Sequence, residues 1–168
     1  MDTIRLIGYN PCSVNEGVGL REVCYIAECT HKCRGCHNEK YWYDKGDEYN
    51  IDEVVRKLTE NPYTDITISG GDGLTVQYES TLKLVRLLKE KSNKNIWLYT
   101  GYKWEELFAL KREEVLKYID VIVDGRFKIE ERDVTLKFRG SKSQRIIDVK
   151  KSLEEDTIIE LNLEEENQ

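Results

Sequence analysis

The chain of 168 residues is 39% hydrophobic and 35% charged with a formal net charge of −6, a composition that predicts one soluble globular domain with its own apolar core and no need of disulfide staples. The longest uninterrupted apolar run, Val23 to Ala27, has five residues, far below the roughly 20 that a membrane span needs; with no basic leader or export-type hydrophobic stretch at the N-terminus, the expected setting is the cytoplasm and no membrane is implicated. Residues 154–168 hold seven carboxylates and no Lys or Arg, so the rest of the chain is close to neutral, which argues against nucleic-acid binding.

In chain order, Arg21 to Ala27 has the β-branched and aromatic content of a strand. Ile51 to Glu60 sets Ile51, Val54, Val55 and Leu58 at helical spacing, and Asn61-Pro62 stops it. Asp65 to Ser69 predicts a second strand, closed by Gly70-Gly71-Asp72-Gly73. Tyr78 to Ser92 places Thr81, Leu84, Val85 and Leu88 on one face of an amphipathic helix. A strand over Asn95 to Thr100, a helix over Lys103 to Tyr118, a strand over Asp120 to Val123 with a turn at Asp124-Gly125, and a last strand over Arg145 to Val149 follow.

Strands alternating with helices at this spacing make right-handed crossovers and a largely parallel sheet. A closed eight-unit barrel takes about 250 residues, so the expected fold is α/β, a partial (βα) barrel of about five to six mainly parallel strands. The expected organisation is a single domain over residues 1–153 and an acidic C-terminal tail over 154–168. That tail reads either as a solvated end or, from the alternation at Ile159, Leu161 and Leu163, as a docking segment.

Three of the five cysteines, Cys29, Cys33 and Cys36, fall within eight residues directly after the first strand. Three thiolates hold three irons of a cubane cluster and leave the fourth open to an exogenous ligand; zinc is the rival, with His31 or His37 completing a Cys3His set. Cys24, inside an apolar strand, reads as a small buried hydrophobe, and Cys12 has no neighbouring thiol. Gly70-Gly71-Asp72 lies at the carboxyl end of a strand, where α/β folds bind ligands, although two glycines there also make a plain turn. Tyr99 and Tyr102 around Thr100-Gly101 occupy the next strand end, lining a ligand or packing a rim. The stretch Arg126 to Lys151 has nine basic residues against four acids, either a solvated face or a dock for an acidic partner.

The ordered set Cys29-Thr-His-Lys-Cys33-Arg-Gly-Cys36-His-Asn38 with Trp42, Ser69-Gly-Gly-Asp72, Trp97-Leu-Tyr-Thr-Gly-Tyr102 with Trp104-Glu105, Val123-Asp-Gly125 with Phe127, and Phe138-Arg-Gly-Ser141 with Gln144-Arg145 resembles the radical S-adenosylmethionine (SAM) superfamily. Within it, the chain is similar to the family that activates anaerobic (class III) ribonucleoside-triphosphate reductase, and the resemblance spans residues 12 to 148. Gly73 and Val18 stand where that family usually has proline, and Ser143 where asparagine is common.

The resemblance implies a [4Fe-4S] cluster on Cys29, Cys33 and Cys36, and SAM chelated at its open iron. It places Gly70, Gly71 and Asp72 against the methionyl amino group, Gly35, His37 and Asn38 beside the nucleoside, and Tyr99 and Thr100 at the cofactor. It implies a glycyl-radical activase in which reductive cleavage of SAM gives methionine and a 5′-deoxyadenosyl radical that abstracts hydrogen from a glycine of the reductase large subunit. The hard chemistry belongs to cluster and SAM, so no further catalytic side chain is implied. The implied partners are that glycyl-radical subunit and an electron donor such as a flavodoxin or ferredoxin. A small-molecule radical SAM enzyme and a non-catalytic zinc or iron-sulfur binding module are the alternatives.

Overall fold

The computed structural model describes residues 2–36, 40 and 42–163. The chain is α/β, built on a mixed sheet of seven strands in the order β3-β1-β2-β4-β5-β6-β7. The strands are β1 (Thr3–Ser13), β2 (Arg21–Ile26), β3 (Asp47–Asn50), β4 (Asp65–Gly70), β5 (Ile96–Tyr99), β6 (Val121–Asp124) and β7 (Arg145–Asp148). β2, β4, β5 and β6 are parallel neighbours; β1 and β3 on one side and β7 on the other pair antiparallel. All four parallel strands therefore end on the same edge, which carries Ala27, Gly71, Thr100 and Gly125.

The helices are α1 (Ile51–Thr59), α2 (Tyr78–Lys91), α3 (Trp104–Ala109) and α4 (Val149–Glu155). Asn50 caps α1 by accepting from the Asp52 N–H, and Asp148 caps α4 by accepting from the Lys151 N–H. Period-2 alternation divides the strands between two cores. Ile66, Ile68, Ile96, Leu98, Ile122 and Ile147 join Val55, Leu58, Leu84 and Leu88 of α1 and α2 in the larger one. Trp97, Val121, Val123 and Ile146 point to the opposite face, where Val18, Tyr99, Phe138, Leu161 and Leu163 pack on them.

β1 and β3 are not among the strands expected from the sequence, and the expected helix over 103–118 is two pieces. α3 ends at Ala109, Lys111 takes a φ of 58°, and a 3-10 helix runs Glu113–Tyr118. The break lets Arg112 reach back to donate to the Leu74 carbonyl and, at 3.0 Å, to the Tyr102 hydroxyl. β7 is antiparallel, and the chain after it turns into α4.

The segment after α4 is not a free end. The Asp148 N–H donates to the Ile159 carbonyl at 2.9 Å and the Leu161 N–H to the Ile146 carbonyl at 2.8 Å, adding a further rung beside β7. Glu160 and Asn162 alternate outward and are exposed. Among the described residues, no helix is long and apolar enough to cross a membrane.

Arg21 shapes the opposite end of the sheet. It is 1% exposed and donates to Thr67 Oγ1, to the carbonyls of Val18, Ile66 and Asn95, and to Asn95 Oδ1, all at 2.7–2.9 Å, while stacking over Trp97. Burial pulls its pKa down to about 10. A Cβ on Gly17 would lie 2.6 Å from Arg21 Cδ, so glycine is what lets the loop before β2 wrap this side chain. Val18 anchors that loop by packing into the smaller core.

Candidate metal and cofactor site

The loop leaving β2 folds tightly because Glu28, Lys32 and Gly35 take positive φ. Cys29, Cys33 and Cys36 are all half-buried on it. The Cys29 sulfur accepts from the backbone N–H groups of His31 and Lys32, and the Cys33 sulfur from that of Phe127. Burial, aided by the nearby Asp72 charge, pushes the Cys29 thiol up to about 11. Burial likewise raises Cys33, against the Phe127 N–H, with Cys36 adding to the rise. Thiols raised in this way stay protonated in water at neutral pH, and a metal centre would be what displaces their protons.

Among the described residues, no group of three Cys, His, Asp or Glu side chains is gathered as a ligand set for one ion, and a zinc set completed by His37 would draw on a residue outside them. A cluster instead offers each thiolate its own iron, and backbone N–H groups aimed at sulfur are the donors that such clusters accept. The three cysteines and their N–H donors fit a cluster. His37 and Asn38 lie outside the described residues. Cys24 is fully buried in the larger core, its thiol pushed up to about 12 by that burial, as a small hydrophobe would be.

The end of β4 is stitched to the start of this loop. The Gly71 N–H donates to the Ile26 carbonyl and the Asp72 N–H to the Glu28 carbonyl, both at 2.8 Å. Gly70 has a φ of 108°, and a Cβ there would lie 2.4 Å from Ile26 N; one on Gly71 would lie 2.2 Å from Glu28 O. The two glycines are required by this close approach of backbone to backbone. Gly35 is favoured for a different reason, its φ of 76°, since the Ile129 Cδ1 that a Cβ would meet belongs to an exposed side chain free to move.

Asp72 is 1% exposed. Its Oδ1 accepts from the Leu74 N–H at 2.9 Å, and its Oδ2 accepts from the Thr100 hydroxyl at 2.9 Å and the Gly101 N–H at 2.8 Å. Its carboxylate thus ties the end of β4 to the end of β5. Thr100, 5% exposed, passes the link on by accepting from the Tyr102 N–H. His31 joins them: its Nε2 is 2.9 Å from Asp72 Oδ2, off the line of a hydrogen bond.

A cavity of about 1,000 Å³ opens beside the loop, lined by Cys36, Ser69, Tyr99, Glu16, Tyr25 and the segment 132–140 among others. The structure therefore brings Cys36 and Tyr99 to one cavity and leaves Asp72 and Thr100 buried behind its wall. The Tyr99 hydroxyl donates to the Phe138 carbonyl at 2.6 Å, holding segment 132–140 in place; burial raises its pKa.

Glu16 is a cavity residue that sequence reasoning missed. Its Oε1 accepts from the Tyr25 hydroxyl at 2.7 Å, and burial raises its pKa. Nothing in its sequence neighbourhood signals this placement.

Behind Cys33, the expected turn Asp124-Gly125 leads to Arg126, which pairs in bidentate fashion with Glu106. Asp124, fully buried, accepts from Arg145 through both oxygens and from the Trp104 N–H. Of the nine basic residues in 126–151, Arg126, Arg139 and Arg145 have internal partners, whereas Lys128, Arg132, Lys137, Lys142, Lys150 and Lys151 are exposed, so most of the stretch is a solvated face. Ser143 donates to the Arg126 carbonyl at 2.9 Å, and a Cβ on Gly73 would crowd Thr81 Oγ1 at 2.6 Å.

Residues 15–147 match the family described as a 4Fe-4S single cluster domain. The chain is 38% identical over 148 residues to a protein of Haemophilus influenzae, covering 82% of this chain and 94% of that one. It is 36% identical over 144 residues to one of Enterobacteria phage T4, covering 81% and 88%, and 35% identical over 144 residues to one of Escherichia coli K12, covering 81% and 93%. Each of these relatives is named anaerobic ribonucleoside-triphosphate reductase-activating protein. The three-cysteine loop, the glycine-rich strand end bound to it and likeness over most of both chains place this protein in the family of anaerobic ribonucleoside-triphosphate reductase-activating proteins, with a 4Fe-4S domain.

Proposed function

We propose that the protein is a radical SAM glycyl-radical activase acting in the cytoplasm on the large subunit of an anaerobic ribonucleoside-triphosphate reductase, a single domain that takes in the segment 157–163 beside β7. The observation that carries this reading is the attachment of the three-cysteine loop to the Gly70-Gly71 strand end, beside a cavity that Cys36 itself lines. The four parallel strands β2, β4, β5 and β6 support a partial barrel of the radical SAM type, and ligands of such folds bind at the carboxyl ends of the strands.

On this reading Cys29, Cys33 and Cys36 hold the cluster, and the backbone around Gly70 and Gly71 faces the methionyl end of SAM. Gly35, His37, Asn38 and Tyr99 border the rest of the cofactor, and Thr100 supports them from behind through its bond to Asp72. With both groups bound and an electron supplied by a flavodoxin or ferredoxin, they provide reductive cleavage of the sulfonium–C5′ bond and hydrogen abstraction from the glycine α-carbon. The chain's own task is to orient them and to keep water and other hydrogen donors away. The cavity, at about 1,000 Å³, lies at the top of the range of small-ligand sites, roughly 300–1,000 Å³, leaving room for a peptide loop beside a cofactor.

The test is 5′-deoxyadenosine formation by the anaerobically reconstituted chain with SAM and a strong reductant, alongside Cys33→Ala, followed by electron paramagnetic resonance of the reductase subunit. Product from the parent and none from the variant, with a glycyl radical on the partner, is the expected result. No product from a parent with full iron content, or tightly held zinc after anaerobic purification, would overturn the reading.

A further inference from the structure

Between the ligand thiols Cys29 and Cys33 stands His31, whose side chain is 4% exposed although Thr30 and Lys32 beside it are exposed. Its ring meets Tyr102 edge-on, with centroids 4.5 Å apart at 82°. The other wall is Gly101, where a Cβ would lie 2.4 Å from His31 Cδ2 and 2.9 Å from Cγ and Nε2. Only glycine leaves that seat open. At the tip of the ring, Nε2 is 2.9 Å from Asp72 Oδ2, the same oxygen that takes the Thr100 hydroxyl and the Gly101 N–H.

One side chain of the cysteine loop therefore plugs into a socket made by the ends of β4 and β5. The loop and the strand end also share the backbone bonds at Gly71 and Asp72, but these stop at Glu28. Past Glu28, among the described residues, the contact made by His31 ties the loop crest to the residues that follow β5. A cofactor bridging the cluster and the strand ends feels any shift between them, and a misplacement of about 1 Å in such a site costs about a hundredfold in rate.

We propose that His31 is a positioning residue that sets the cysteine loop against the SAM-binding strand ends, its ring seated on Gly101 and walled by Tyr102, with its tip against the Asp72 carboxylate. The carboxylate of Asp72 is meanwhile engaged by the Leu74 N–H, the Thr100 hydroxyl and the Gly101 N–H, which holds the strand ends that the ring sits on. This inference rests on the radical SAM reading above.

The experiment uses the full chain, reconstituted anaerobically, as parent, His31→Ala, Gly101→Ala, the double variant and His31→Gln. Iron and sulfide content are measured first. SAM is then titrated against the electron paramagnetic resonance spectrum of the reduced cluster. The expected result is parental iron content throughout, with SAM affinity about tenfold weaker in each single alanine variant, a coupling of the size seen for contacting residues. The double variant should be no weaker than either single one, because the Gly101→Ala methyl then occupies the space the ring has left, and His31→Gln should recover part of the loss. Parental affinity in His31→Ala, or losses that multiply in the double variant, overturns the proposal. Iron loss confined to His31→Ala overturns it as well, by making the residue a support of the ligand loop alone. A parent spectrum indifferent to SAM would instead overturn the radical SAM reading.

Discussion

Gly71 shows how little latitude the site has at single positions. A Cβ there would lie 2.2 Å from the Glu28 carbonyl oxygen, 2.6 Å from its carbon and 3.2 Å from its nitrogen, all backbone atoms that cannot swing aside. Gly71→Ala is therefore expected to cost about 2–3 kcal/mol and to lower the thermal midpoint by about 5–10 °C, measured on the metal-free chain so that cluster loss does not enter. A midpoint within 1–2 °C of the parent would show that the strand end is not held this closely. The three thiols were legible in the sequence because ligand spacing is local. The occupation of Asp72 was not, because its partners Leu74, Thr100 and Gly101 come from two strand ends whose adjacency no spacing encodes. Gly101 carried a signal in hindsight: a glycine next to buried Thr100 marks a place where something else approaches closely.

Among the elements, the segment after α4 makes the largest departure from expectation. Its Ile159 and Leu161 bond β7 on one side, the Ile159 N–H reaches Ser152 Oγ, and Leu161 and Leu163 cover Trp97, Val121, Val123 and Ile146. Ending the chain at Asp156 removes those bonds and half-buried side chains, with an expected loss of about 2–4 kcal/mol, read as a lower urea midpoint. An unchanged midpoint would mean that the segment adds nothing to the sheet. The alternation of Ile159, Leu161 and Leu163 was legible as a docking segment, but the dense run of acids around it read equally as a solvated end, and nothing local named β7 as its partner. Polarity hid β3, whose four residues are Asp-Glu-Tyr-Asn, and bulges with Gly8 and Pro11 broke the period-2 pattern of β1. β2, β4, β5 and β6 were legible because buried parallel strands read as apolar runs. Apolar periodicity ran on past Ala109, but it could not report the turn at Lys111 that splits the helix.

For the whole molecule, Asp120 at the head of β6 acts as a staple between layers. Burial raises its carboxyl pKa, but hydrogen bonds from Lys89 of α2 and from the Ile96 N–H of β5, together with Lys150 of α4, outweigh it and hold the group below its ordinary value. A carboxyl depressed on folding contributes stability above its unfolded pKa, about 3.9, and loses it as pH falls through the folded value. Asp120→Asn should therefore unfold about 2 kcal/mol more easily at pH 7, with the gap narrowing progressively as pH falls below about 4. A constant gap between the two stability curves down to pH 3 would assign the loss to packing instead. The same layered assembly has an order in time. The cysteine loop, residues 29–36, leaves the ribosome well before the segment 157–161 that pairs with β7. While β5, β6 and β7 are still to be made, the thiols stand at the margin of an unfinished sheet, and Tyr99 and the segment 132–140, which wall the cavity beside them, are all synthesised after them.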